Sequence, residues 1–155
     1  MKITLIAIEN SPPAWATSGF ETYAKRLPKD YQLTCISIPS IKRSKNASIA
    51  QVLEQEGKRI LQAIPPGSHV VVLDRLGLTV STLNISEKLL HWHDHHQDIC
   101  LLIGGPEGLS EECLKKADTK WSLSALTLPH PLVKVVVAEQ LYRAWSIHKN
   151  HPYHR

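Results

Sequence analysis

Asp98-Ile99-Cys100-Leu101-Leu102-Ile103, followed at once by Gly104-Gly105-Pro106-Glu107-Gly108, decides the fold. A continuous apolar run that ends in glycine and proline reads as a strand covered on both faces, with a turn at its carboxyl end. The same pattern recurs on both sides of it. Lys2 to Ile8 reads as a first strand and Gln32 to Ile38 as a second. His69 to Leu73, nearly all β-branched, is a third, and Lys120 to Leu123 a short fifth. Helical patterns fill the gaps. Ala14 to Leu27 precedes Pro28. Asn46 or Ser48 can cap a helix running to about Ile64, before Pro65-Pro66-Gly67. Ser81 or Thr82 opens a helix reaching about His95. Ser110 caps another, with Glu111 and Glu112 in its first turn, where the helix dipole favours acids. Pro131 is a good first residue for a last helix ending near Lys149. This alternation predicts an α/β fold, a mostly parallel sheet covered by helices.

The chain has 155 residues, is 43% hydrophobic and 21% charged, and suits a single domain spanning 1–155. No apolar run approaches the roughly 20 residues of a membrane helix, so no membrane association is expected. The amino-terminal apolar stretch lacks a small-residue cleavage site and reads as strand, not signal peptide. Cys35, Cys100 and Cys113 are odd in number and lack metal-like spacing, which suits free thiols in a reducing cytoplasm. A net charge of +4 hints at a polyanionic partner and equally suits a basic protein with none.

The last helix is apolar on most sides. Val133, Val136, Val137, Leu141, Ala144 and Trp145 form one face, and Leu132, Val135, Ala138 and Tyr142 lie on others. Such a helix must be buried on most sides. It either threads the domain or packs against a second copy of the chain.

Three segments could carry chemistry. The glycine turn at Gly104 to Gly108 lies where open α/β sheets bind ligands, beyond the carboxyl end of a strand. It is not the dinucleotide fingerprint, because the spacing differs and Pro106 lacks a donor; it could also be a plain turn. Trp121 to Pro131 joins small hydroxyl residues, apolar residues and prolines. That composition can offer backbone groups and apolar walls to a ring, or merely position a helix. Asn150-His151-Pro152-Tyr153-His154-Arg155 ends the chain with acid-base, stacking and phosphate-binding types, where a frayed tail is the ordinary expectation. Lys42, Arg43 and Lys45 form a basic loop suited to phosphate if the partner is RNA. Asp74 can edge a pocket or serve its own loop. His91 and His95 share a helix spacing, yet no cysteine is near and the cluster sits at a helix end, so no metal is expected.

In combination these segments resemble the RlmH family, the ribosomal RNA large-subunit pseudouridine N3-methyltransferases of the SPOUT superfamily. The resemblance rests on Leu101 to Ser110, Leu123 to His130, Tyr142-Arg143-Ala144-Trp145-Ser146 and Asn150 to Arg155, and also includes Lys42-Arg43 and Lys45-Asn46. It covers the whole chain. It implies a deep trefoil knot near the carboxyl terminus, against the general rule that chains avoid knots. It implies S-adenosyl-L-methionine bound by Leu73, Gly105, Ser124, Ala125, Leu126, Thr127, Leu128 and Pro129. It also implies a homodimer built on the last helix, and a tail that brings Tyr153, His154 and Arg155 to the active site, meeting the cofactor pocket across the dimer. The implied substrate is 23S ribosomal RNA in assembled ribosomes.

Within that frame the methyl donor is already activated, so no covalent enzyme intermediate is required. The base N3 must lose its proton, and His154 is the expected acceptor, with His130 second. Arg155 could hold a phosphate or developing charge, and Tyr153 could stack on the base. Two other readings remain open: a non-enzymatic ribosome-binding factor, and a SPOUT ribose methyltransferase acting on transfer RNA.

Overall fold

The computed structural model describes residues 1–155. In chain order it comprises β1 (Lys2–Ile8), α1 (Ala14–Ala24), β2 (Gln32–Ile38), α2 (Ile49–Ala63), β3 (His69–Thr79), α3 (Thr82–Asp94), β4 (Ile99–Ile103), α4 (Glu111–Lys116), β5 (Thr119–Ser122) and α5 (His130–His148). The five strands form one sheet in the order β2-β1-β4-β3-β5, and every neighbouring pair is parallel.

Side chains of a strand point alternately to opposite faces, so strands apolar at every position need cover on both. Ile3 and Leu5 of β1, Val71 of β3 and Leu101 of β4 pack with Phe20 of α1, Leu89 of α3 and Leu141 of α5. Ile6 and Ile8, Val70 and Val72, and Cys100 and Leu102 point the other way, onto Ile60 of α2 and Cys113 of α4. Three helices therefore cover one face and two the other. Each fully buried Val, Leu or Ile contributes ~1.5–3 kcal/mol, so these two layers dominate stability.

Helix starts follow local chemistry. The Ser48 and Ser81 hydroxyls accept from the backbone N–H of Gln51 and Asn84, whose side chains accept in return from the serine N–H groups. Ser110 accepts from Cys113 N in the same manner. At α5, Pro129 and Pro131 flank the first residue, where a missing N–H costs nothing.

One element, β3, differs from the sequence expectation. β3 does not end at Leu73. Both Leu73 and Leu78 pair with Trp121, so the chain leaves the sheet for four residues, Asp74 to Gly77, and rejoins it through Thr79. Asp74 Oδ1 accepts from Leu76 N at 2.7 Å and shapes the excursion. A Cβ on Gly77 would lie 2.7 Å from the Trp121 carbonyl carbon, so only glycine lets the chain return flat against β5. The sequence left two arrangements open for α5. It lies against both α1 and α3, with Val137, Ala138, Leu141 and Ala144 in the core and Val135 against α1 at Gly19. Packing against α1 and α3 thus covers much of its apolar surface within one chain, without the helix threading the domain. Leu132 stays 36% exposed, and Val133, Val135, Val136, Trp145 and Ile147 are half-buried.

Candidate active site

The carboxyl ends of β3, β4 and β5 open into one cleft of about 670 Å³. Leu73 to Leu76 line it from the β3 excursion, Ile103 to Leu109 from the turn after β4, and Trp121 to Ser124 with Leu126 to Leu128 from the loop after β5. His130 and Val133 of α5 close its side. Small-molecule sites commonly fall in this size range, with mixed apolar and polar walls.

The turn after β4 is built by its glycines. Gly108 N donates to Gly105 O at 2.9 Å, and Gly108 holds φ +85°, a conformation that favours glycine. A Cβ on Gly104 would come within 2.5 Å of the Gly108 backbone, so the turn can fold on itself only without a side chain there. At Gly105 a Cβ would face Ile8 and Glu56, away from open space. Gly104 and Gly105 therefore serve the closure of the turn first. The exposure of backbone to the cleft follows from that closure.

The loop after β5 has little internal hydrogen bonding. Ser122 Oγ donates to Ser124 O at 3.2 Å, and Leu126 N donates to Ser124 Oγ at 2.9 Å. From Ala125 to Leu128 no backbone group bonds to another backbone group. Such groups can satisfy the polar edge of a flat heterocycle, while Leu73, Ile103, Leu109 and Val133 supply apolar walls. The donor set and the volume suit a nucleoside-sized ligand. Of the residues expected to hold the cofactor, Leu73, Gly105, Ser124, Leu126, Thr127 and Leu128 line the cleft. Ala125 and Pro129 belong to the same loop but are absent from its lining. Ala125 is exposed, and Pro129 O accepts from Leu132 N and Val133 N at the start of α5.

Charge at the cleft is sparse. Asp74 is committed to its own loop. Glu107 faces Arg43 of the basic loop at 3.4 Å, and Arg75 lines the mouth. His130 is half-buried, and burial pulls its imidazole below the ordinary range, with the Glu9 carboxylate opposing more weakly. Its ring is therefore neutral near pH 7, and the same burial makes it a weaker proton acceptor than a free imidazole. No thiol can play that part. Burial pushes Cys100 up to about 12 and raises Cys35 and Cys113 as well.

The tail residues lie elsewhere. Tyr153, His154 and Arg155 do not line the cleft of their own chain. Tyr153 is half-buried against α5, where its hydroxyl donates to Glu139 Oε1 at 3.0 Å, and His154 and Arg155 are exposed. One chain therefore presents the expected residues as two separate groups. Glu139 went unnoticed in the sequence, although its spacing to Arg143 is that of a helical ion pair, and the pair is present at 2.7 Å. At the end of α3, the His91 and His95 rings lie 4.2 Å apart, tilted at 39°, and His95 Nδ1 bonds to His91 O. No group of three His, Cys, Asp or Glu side chains is arranged to hold a metal ion, and no helix is long and apolar enough to cross a membrane.

Comparison with known proteins bears on this geometry. A family model described as "Predicted SPOUT methyltransferase" matches residues 1–154. A curated protein of Coxiella burnetii (strain Dugway 5J108-111), named ribosomal RNA large subunit methyltransferase H, is 52% identical over 155 residues, covering 100% of each chain. Among solved structures, a methylase family protein from Haemophilus influenzae Rd KW20 aligns with a TM-score of 0.57 and 16% identity, over 99% of this chain and 70% of that one. A methylase family protein from Neisseria gonorrhoeae aligns with a TM-score of 0.52 and 12% identity, over 90% of this chain and 81% of that one. At such identities the two structures speak for the fold alone.

Proposed function

Because this chain belongs to the SPOUT methyltransferase family, we propose that it transfers a methyl group from S-adenosyl-L-methionine to N3 of a pseudouridine in the 23S ribosomal RNA of assembled ribosomes. One observation carries the reading: three parallel strand ends converge on a cleft whose last loop, from Ala125 to Leu128, makes no backbone–backbone bonds. The relative from Coxiella burnetii, named as a large-subunit ribosomal RNA methyltransferase, supports the substrate class.

S-adenosyl-L-methionine supplies a methyl group on a sulfonium, an electrophile that needs no further activation. The chain has to bind, align and exclude water. The backbone of Ala125 to Leu128 would take the adenine edge, Leu73 and Leu128 would flank the ring, and the Gly105 turn would meet the remainder. Pseudouridine N3 must lose its proton to become nucleophilic. His154 is the proposed acceptor. His130 is the alternative, supported by its neutral ring in the cleft wall. Arg155 is suited to a phosphate or to charge developing on the base.

A homodimer in the cytoplasm completes the proposal. The tail of one chain closes over the cleft of the other, because His154 and Arg155 are exposed outside their own. A trefoil crossing of the last segment is proposed with it. The turn after β4 and the loop after β5 line one cleft, where the resemblance places that crossing.

The test incubates the protein with labelled methyl donor and ribosomes from a strain lacking it, then maps the label. Label on N3 of a pseudouridine is expected. Label on ribose would overturn the proposal, and calorimetry without any binding at millimolar donor would point to a ribosome-binding factor. Replacing His154 with alanine is expected to lower turnover on the order of 100-fold or more with donor affinity unchanged. Full turnover would remove His154 as the base.

A further inference from the structure

We infer that Glu139 is a positioning residue, whose carboxylate seats Tyr153 as a peg fixing the backbone that carries His154 and Arg155. The inference rests on the reading that the tail serves a cleft, and it assigns Tyr153 a role other than stacking on the base.

Glu139 Oε1 gathers three donors. The Tyr153 hydroxyl approaches to 3.0 Å, and Arg143 Nε and Nη2 to 2.8 and 2.7 Å. Its second oxygen accepts from Gln140 Nε2 at 2.6 Å, and Gln140 Oε1 accepts from Thr82 Oγ1 at 2.7 Å, at the first turn of α3. The carboxylate is thus fixed from both sides before the tail reaches it. Hydrogen bonds to a charged acceptor are roughly twice as strong as neutral ones, so this contact can hold an otherwise frayed end.

The ring of Tyr153 is also engaged. The Arg143 guanidinium carbon lies 4.7 Å from its centroid, and Tyr142 meets it edge-on at 4.7 Å and 63°. A base could stack there only by displacing Arg143. Burial, the nearby Tyr23 phenol and the bond to Glu139 raise the phenol above its ordinary range, so it stays a donor and is no base. The backbone is held too, since Tyr153 N donates to His151 Nδ1 at 3.2 Å. Beyond that point Arg155 Nε reaches only Pro152 O, at 3.2 Å, and His154 is exposed. These last two side chains are the ones left to meet substrate.

The test compares Tyr153→Phe, Glu139→Ala and the double variant. It measures kcat and KM on ribosomes lacking the modification, donor affinity by calorimetry, and Tm. Loss of one hydrogen bond to a charged group corresponds to about tenfold or more. Each single variant is expected to lower kcat by about that factor with donor affinity unchanged. The double variant should be no slower than the worse single, because both act through one contact. Tyr153→Phe keeps the ring and its packing, so it remains informative if Glu139→Ala does not fold. Wild-type kcat in Tyr153→Phe, or losses that multiply in the double variant, would overturn the inference. A chain ending at Pro152 separates the two levels. Turnover retained there would sink the tail reading itself. Turnover lost there but kept in Tyr153→Phe would sink only the peg.

Discussion

His69, His130 and His148 sit where burial favours the neutral ring, so each is harder to protonate in the folded chain than in the unfolded one. His148 shows why: burial lowers its pKa, its buried Nδ1 has no partner to share a proton with, and the bond between Nε2 and Ser86 Oγ at 2.8 Å opposes the shift more weakly. When such rings have depressed pKa values, the unfolded chain binds more protons as pH falls below about 6.5, and stability falls with it. Urea midpoints are therefore expected to decline between pH 7.5 and 5, and His148→Leu should flatten that decline. An unchanged slope would show that His148 is not one of the groups responsible. Residues with a local job were legible in the sequence. Ser48, Ser81 and Ser110 cap helices because a short side chain three positions before a free N–H can reach it. Glu139 was not, because its partner Tyr153 arrives from the tail only after α5 has ended. Ala125 and Pro129 mark the same limit, since composition identifies a loop without saying which of its side chains turn inward.

Among the elements, α5 depends on one charge inside its apolar surroundings. Lys134 Nζ lies 2.8 Å from Glu9 Oε1, and the two side chains are only 4% and 7% exposed. Ser37 Oγ donates to the same oxygen at 2.5 Å. The pair ties the end of β1, beside the end of β2, to the first turns of the helix that carries His130. Removing one partner leaves a buried charge alone. Lys134→Met is expected to cost about 3–5 kcal/mol in denaturant unfolding, and Glu9→Gln combined with Lys134→Met should recover much of it. A double variant as unstable as the single would mean that lost packing, not the stranded carboxylate, sets the cost. Strands and helices themselves were legible from apolar periodicity. The second half of β3 was not, because Leu76 and Leu78 stay 82% and 77% exposed and no burial pattern announces the return. What brings the chain back is the missing side chain of Gly77 against β5.

For the whole molecule, the parallel sheet was legible because strands apolar on both faces need helices on both. The strand order was not, since nothing local says that β4 inserts between β1 and β3. The separation of tail and cleft within one chain yields a test on mixed dimers. A variant ending at Pro152 and a variant with the cleft filled by Thr127→Trp are each expected to be inactive. Co-expressed, they should form mixed dimers with one intact composite site, restoring about a quarter of the wild-type rate by random pairing. A co-expressed preparation that contains mixed dimers yet stays inactive would contradict a site shared between chains. The order of the sheet also bears on how the protein is made. Ile3 pairs with Ile99, and Ala7 with Ile103, so the first strand leaves the ribosome long before its inner neighbour exists. At ordinary elongation speeds that wait lasts about 5–20 seconds. Once β2 has emerged it can cover one flank of β1, and the other apolar edge stays bare until β4 follows, open to any second nascent chain. An edge left open that long is where misassembly during synthesis would begin.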